Sequence, residues 1–207
     1  MVQESEILEI RSPVGLESFF NGKPPKLWCS GEQRILNGRL LGIISAREFH
    51  PDFALKSAQL LEQLVFLKDV SFIGGWHSPL EKEALRILSA SSTQIVFCVA
   101  KSLQRFTPPL EVENQLRQGQ ALLLTHCGPK AKRISREASL RCNELVVGLS
   151  NALLVLSAPE GSRSLDLAKA ALHCGKSVLT LDDRTNKELI ARGALPASLE
   201  NIRKEFW

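Results

Sequence analysis

Five consecutive apolar residues, 152–156 (ALLVL), stand between two segments with helical spacing. A run this short and unbroken fits a strand covered on both faces, as in a parallel sheet sandwiched between helices. The loop that follows, residues 157–164, holds Gly161, Ser162, Arg163 and Ser164. From Leu165 to Cys174 the apolar residues Leu165, Leu167, Ala168, Ala171 and Leu172 keep helical spacing, and Gly175 stands where that helix stops. The order strand, Gly-Ser loop, helix sets the loop at a strand's carboxyl end and a helix N-terminus. Unpaired backbone N–H groups and the helix dipole favour a phosphate there. The same residues also suffice for a tight turn with a serine cap.

The alternation extends along the chain. Strands are predicted at 27–29, 39–45, 70–73, 94–100, 121–124 and 177–181. Helices are predicted at 52–67, from Ser78 onward, from Pro108-Pro109 to Gly119, and at 135–148, 187–192 and 199–206. Ser78-Pro79-Leu80-Glu81 carries every part of a capping box: a serine cap, a proline in the first turn and a glutamate three residues on. Residues 1–24 have weak periodicity and read as an extension with room for one short helix, leaving 25–207 as the domain. The pattern predicts an α/β domain: a doubly wound, mostly parallel sheet with helices on both faces. Ligands of such sheets bind outside the carboxyl ends of the strands. Three loops fall at that edge, 46–50, 74–78 and 157–164, and they supply Arg47, His50, Gly74, Gly75, His77 and Ser78 beside the serine loop.

Hydrophobic residues make up 44% of the 207, enough for a sizeable core. No apolar run reaches membrane-spanning length, and the acidic N-terminus has no signal-peptide pattern. Five scattered cysteines without a CxxC pair fit a reducing cytoplasm and no metal site. The formal charge is only +4, but it is unevenly spread. Lys130, Lys132, Arg133, Arg136 and Arg141 face one acid, Glu137, in a short window. Such a window suits a polyanion whose phosphates it would neutralise, and equally a solvated basic face. The four histidines are isolated and no nucleophile–base pair stands out, so no catalytic residue is expected.

Three stretches carry a resemblance. They are PKLWCSG at 25–31 with Ile35-Leu36 and GIISAR at 42–47, Gly148-Leu149-Ser150 ahead of the buried run, and LIARGA at 189–194. In this order and spacing the chain, over roughly residues 25–195, resembles the DNA-processing protein A (DprA/Smf) family. That family has a Rossmann-like fold, shared with the LOG-type phosphoribohydrolases. The chain departs from it at Ser45, where the family has the glycine of Gly-Ser-Arg, and at 74–78, where GGWHS replaces Ser-Gly-x-Ala-Arg. Cys142-Asn143-Glu144 replaces Arg-Asn-Arg, with Arg141 one place earlier.

The resemblance implies a bacterial, cytoplasmic, non-enzymatic protein of DNA processing and recombination, with no cofactor. It implies single-stranded DNA or a nucleotide as ligand, a RecA-type recombinase and a second copy of the chain as partners, and no membrane. Arg47, Gly74, Gly75, His77, Ser78 and Asn143, with the basic window and the loop Gly161–Ser164, are the implied binding residues. Phe49, Trp76 and Phe106 are the aromatics within reach of base stacking. Two alternatives stay open. A phosphoribohydrolase of the superfamily carries Pro-Gly-Gly-x-Gly-Thr-x-x-Glu, whereas residues 158–167 here (APEGSRSLDL) hold one glycine and no Thr-x-x-Glu. A nucleotide-sensing module would use the same loops without turnover.

Overall fold

The computed structural model describes residues 6–13, 16–20, 22–131 and 133–207. These build the strands β1 (Leu8–Ile10), β2 (Leu27–Gly31), β3 (Arg39–Ile44), β4 (Val70–Gly74), β5 (Gln94–Cys98), β6 (Ala121–Thr125), β7 (Ala152–Val155), β8 (Ser177–Thr180) and β9 (Leu195–Pro196). Between them run the helices α1 (Asp52–Leu64), α2 (Pro79–Ser89), α3 (Leu110–Arg117), α4 (Arg136–Leu149), α5 (Arg163–His173), α6 (Lys187–Ala191) and α7 (Leu199–Lys204). The strands join one sheet in the order β1-β2-β6-β5-β4-β3-β7-β8-β9. From β6 to β9 every pairing is parallel, while β2 runs antiparallel to both β6 and β1.

Period-two alternation along the strands divides the core in two. Leu41, Ile43, Phe72, Ile95, Phe97 and Leu154 point to one face, where Phe53 and Leu61 of α1, Leu85 and Leu88 of α2, Val112 of α3 and Ile202 of α7 cover them. Leu40, Ile44, Ile73, Val96 and Val155 point to the other, against Leu145 and Val146 of α4, Leu165 and Ala168 of α5 and Leu189 of α6. The expected doubly wound, mostly parallel architecture is the observed one, and the run 152–156 forms the inner strand β7, between β3 and β8, and its exit, with every residue buried. The stretch expected to be an extension is tied to this domain: β1 pairs with β2, and Leu16 and Phe20 are buried in the second core. The short strand predicted at 27–29 forms, but as an antiparallel strand outside β6.

Two contacts explain short motifs of the sequence. Gly42 in β3 lies so close to Ser150 that a Cβ there would stand 2.1 Å from the Ser150 Oγ. A Cβ on Gly148 would meet Leu16 Cδ2 at 2.5 Å. The glycines of GIIS and GLS are therefore packing requirements where α4, β3 and the N-terminal segment approach each other. Gly42→Ala is expected to destabilise the fold by about 2 kcal/mol through overpacking. Ser150→Gly, combined with it, is expected to recover part of that loss, as read from chemical-denaturation midpoints of the four proteins in the cycle.

The capping box of α2 does more than end a helix. Ser78 Oγ accepts from the Glu81 N–H at 3.2 Å, and Glu81 Oε2 accepts from the N–H groups of Ser78 at 3.2 Å and His77 at 2.6 Å. The second oxygen, Oε1, accepts from the Ser45 N–H at 2.8 Å across the sheet edge. One carboxylate, only 4% exposed, thus fastens the loop after β3 to the loop after β4. Burial pushes its carboxyl up, and the N–H donors of His77, Ser45 and Ser78 oppose that shift. In Glu81→Gln, whichever way the amide turns, its NH2 faces backbone N–H donors. We expect a loss of about 2 kcal/mol, seen as a lower urea midpoint with an unchanged slope.

Candidate nucleic-acid interface

Successive strands build outward from β3 through β4 and β5 to β6, and the chain then crosses under α4 to β7 on the other side of β3. The strand order reverses between β3 and β7, which is where open α/β sheets bind ligands. The three loops singled out from sequence do converge there. Ala46 N–H donates to the Ser157 carbonyl at 2.8 Å, and the Ser157 hydroxyl donates to the Glu48 carbonyl at 3.3 Å. With the Glu81 contact to Ser45, these bonds brace the loop on both sides and leave Arg47 exposed at its tip. Behind the third loop the fully buried Asn186 donates to the Leu156 and Leu181 carbonyls at 3.1 Å each. It accepts from Ala158 N–H at 2.9 Å.

The second loop is packed, not open. Trp76 takes φ 54°, a left-handed conformation rare for a bulky residue. Its indole lies where a Cβ on Gly74 would stand 2.8 Å from the ring. It is 3% exposed, with Phe97 at 6.5 Å between ring centroids, so it is core and not a stacking platform. Phe106 packs on Phe97 at 5.2 Å, and Phe49 lies against the same core. Gly75 gives room to His77 and to Asn143 of α4, whose Oδ1 would be 3.3 Å from a Cβ there. His77 is half-buried, and its Nε2 is sealed from solvent without a hydrogen-bond partner. Beside it lies the buried Cys142, whose thiol is pushed well up by its hydrogen bond with Cys98 and by burial.

The hydroxyls of the site are largely engaged within the protein. Ser78 is buried and caps α2. Ser164 is buried and donates to the Ser157 carbonyl at 2.9 Å, while Ser162 caps α5 by accepting from Leu165 N–H at 3.2 Å. Gly161, at φ 74°, is exposed and a Cβ there would meet nothing. Contact with a ligand at this loop therefore falls to its backbone and to the exposed Arg163.

The cations stand along the same edge, because the loops after β3, β6 and β7 all leave from carboxyl ends of parallel strands. Lys130, Arg133 and Arg136 are exposed between β6 and the first turn of α4, and Lys132 lies outside the described residues. Arg141 is half-buried, its guanidinium 5.5 Å from the Phe20 ring centre and its Nη1 3.6 Å from Glu144 Oε2. A cleft of about 540 Å³ opens here, lined by Phe20, Lys23, His126, Ser135, Glu137 and Arg141. Burial, with the nearby Arg141 charge, holds His126 down to about 4, so it faces the cleft neutral at pH 7. Among the described residues no group of three His, Cys, Asp or Glu side chains is disposed to hold a metal ion.

Sequence reasoning passed over four residues of this edge. Glu81 was visible as a cap, but nothing in its spacing signals the bond to Ser45, 36 residues away. Asn186 carries no local signal at all. His126 gained a role only when the sheet placed it near Arg141, while for Glu144, three residues after Arg141 on a predicted helix, the ion pair was legible but not the sealing of its Oε2 from solvent.

The model of the family described as DNA recombination-mediator protein A matches residues 9–204. Among solved structures, the chain is similar to DNA processing protein A of Streptococcus pneumoniae, with a TM-score of 0.80 and 18% identity, over 100% of this chain and 76% of that one. It is similar to DNA processing protein A of Helicobacter pylori, a structure described for its single-stranded DNA binding mode, with a TM-score of 0.77 and 20% identity, over 99% and 97% of the two chains. The molybdenum cofactor binding protein of Rippkaea orientalis shares the fold less fully, with a TM-score of 0.57 and 18% identity over 81% of this chain and 96% of that one. No curated protein matches the chain. A family model that spans the sheet from β1 through α7 leaves one assignment: this chain belongs to the DNA recombination-mediator protein A family.

Proposed function

We propose that this protein binds single-stranded DNA along the carboxyl edge of its sheet, without turning it over, as a mediator of DNA processing and recombination. The observation that carries this reading is the placement of cations from separate parts of the chain on one edge. Arg47 follows β3, Lys130 and Arg133 follow β6, Arg136 and Arg141 lie on α4, and Arg163 opens α5. A flexible polyanion is held by such a row because each neutralised phosphate releases a condensed counterion. Family membership supports the same reading, as does the binding mode ascribed to the Helicobacter pylori relative. In this reading Gly161–Ser164 receives a backbone phosphate, Gly75, His77 and Asn143 form the floor, and Lys132 adds to the basic segment. A RecA-type recombinase and a second copy of the chain are the protein partners that go with it, in the cytoplasm. No helix among the described residues is long and apolar enough to cross a membrane.

Fluorescence anisotropy with a labelled single-stranded oligonucleotide, run at several salt concentrations, tests the proposal. Arg47→Ala and Arg133→Ala are each expected to weaken binding for all sequences alike and to lower the slope of log affinity against log salt by about one unit. Absence of binding by the folded parent at low salt, or an unaltered slope in both variants, would falsify the DNA reading. Soaking crystals with a short oligonucleotide is expected to place a phosphate at Gly161–Ser164. A strand bound elsewhere with that loop empty would reduce the loop to a helix cap.

A further inference from the structure

Glu144 stands beside one of these cations, Arg141, and opposes its charge. It lies one turn beyond Arg141 on α4, with its Oε2 3.6 Å from the Arg141 Nη1. From the neighbouring helix Arg163 also acts on its charge. Oε2 is sealed from solvent, yet it has no hydrogen-bond partner. A sealed carboxylate oxygen left unbonded is costly, and native proteins hold few of them. The acid of the neighbouring helix, Asp166, differs in kind. It pairs with Arg163 at 3.9 Å on the surface with 59% of its side chain exposed, where solvent screens it.

A phosphate approaching Arg141 meets a guanidinium already paired with a half-buried carboxylate. It must compete with Glu144 for that guanidinium and tolerate its charge at close range. That repulsion is about twice as large for a dianionic terminal phosphate as for a monoanionic phosphodiester. We infer that Glu144 is a specificity-determining residue, an internal competitor for Arg141 that lowers affinity for phosphate overall and shifts the preference of the site away from terminal phosphomonoesters toward internal phosphodiesters. The inference rests on the DNA reading above and adds to it a choice between a continuous strand and a free nucleotide or phosphorylated end.

The test is a gain of binding, which a damaged fold cannot mimic. Anisotropy with a 5′-hydroxyl oligonucleotide at several salt concentrations compares the parent with Glu144→Gln and Glu144→Ala. Releasing Arg141 is expected to tighten binding about five- to tenfold at low salt and to steepen the salt slope by about one unit. Adenosine monophosphate, used as competitor, is expected to gain more than the oligonucleotide does in both variants. Arg141→Ala, made in the Glu144→Gln background, is expected to remove much of the gain. If the parent binds the strand and neither variant binds tighter, Glu144 lies outside the path of the phosphate and the inference fails while the DNA reading stands. A gain with an unaltered salt slope, or an equal gain for both ligands, also overturns it. If neither the parent nor the variants bind, both readings fall together.

Discussion

The buried carboxylate of Glu81 is the contact on which the geometry of this edge depends. Loops at the carboxyl ends of adjacent strands have no ladder to align them, since strand pairing stops where they begin. Glu81 supplies the missing alignment by accepting N–H groups from both loops at once, 2.8 Å from Ser45 and 2.6 Å from His77. Hydrogen bonds from backbone N–H groups to a carboxylate are among the stronger ones, and strongest where water is excluded. The same residue completes the cap of α2, so the start of that helix and the spacing of the two loops form one unit.

α4 has a corresponding role on the other face. Its buried side, Cys142, Leu145, Val146 and Val147, closes the second core over the centre of the sheet. Its start lies beside the basic loop, and its middle carries Arg141, Asn143 and Glu144 to the point where the strand order reverses. One helix thus couples packing to charge. Gly148 near its end lets Leu16 dock, which brings Phe20 beneath the Arg141 guanidinium. The N-terminal segment in this way shapes the cleft beside His126.

Along the edge, rigidity and charge are supplied by different residues. Ser78, Ser164 and Asn186 are spent on backbone bonds that hold the loops, and they are buried. Arg47, Lys130, Arg133 and Arg163 make up the exposed layer above them. A scaffold without freedom under flexible, solvated cations suits a ligand recognised by its repeating charge more than by its base sequence.

What the sequence determined by itself was whatever depends on neighbours in the chain. Unbroken apolar runs such as 152–156, helical spacing such as 52–67, and the Ser78–Glu81 cap are local patterns, and they were sufficient for the α/β class and for the loops that carry Arg47 and Arg163. Tertiary structure decided everything that depends on distance through space. It turned Trp76 from a stacking candidate into core, because Gly74 leaves room for the indole beneath it. It placed Leu8–Ile10, Leu16 and Phe20 against the sheet, where weak periodicity had suggested an extension, because three residues of strand and two buried side chains leave almost no periodic signal. It also set Glu81 between two loops, since a carboxylate's partner 36 residues away along the chain leaves no trace in local spacing.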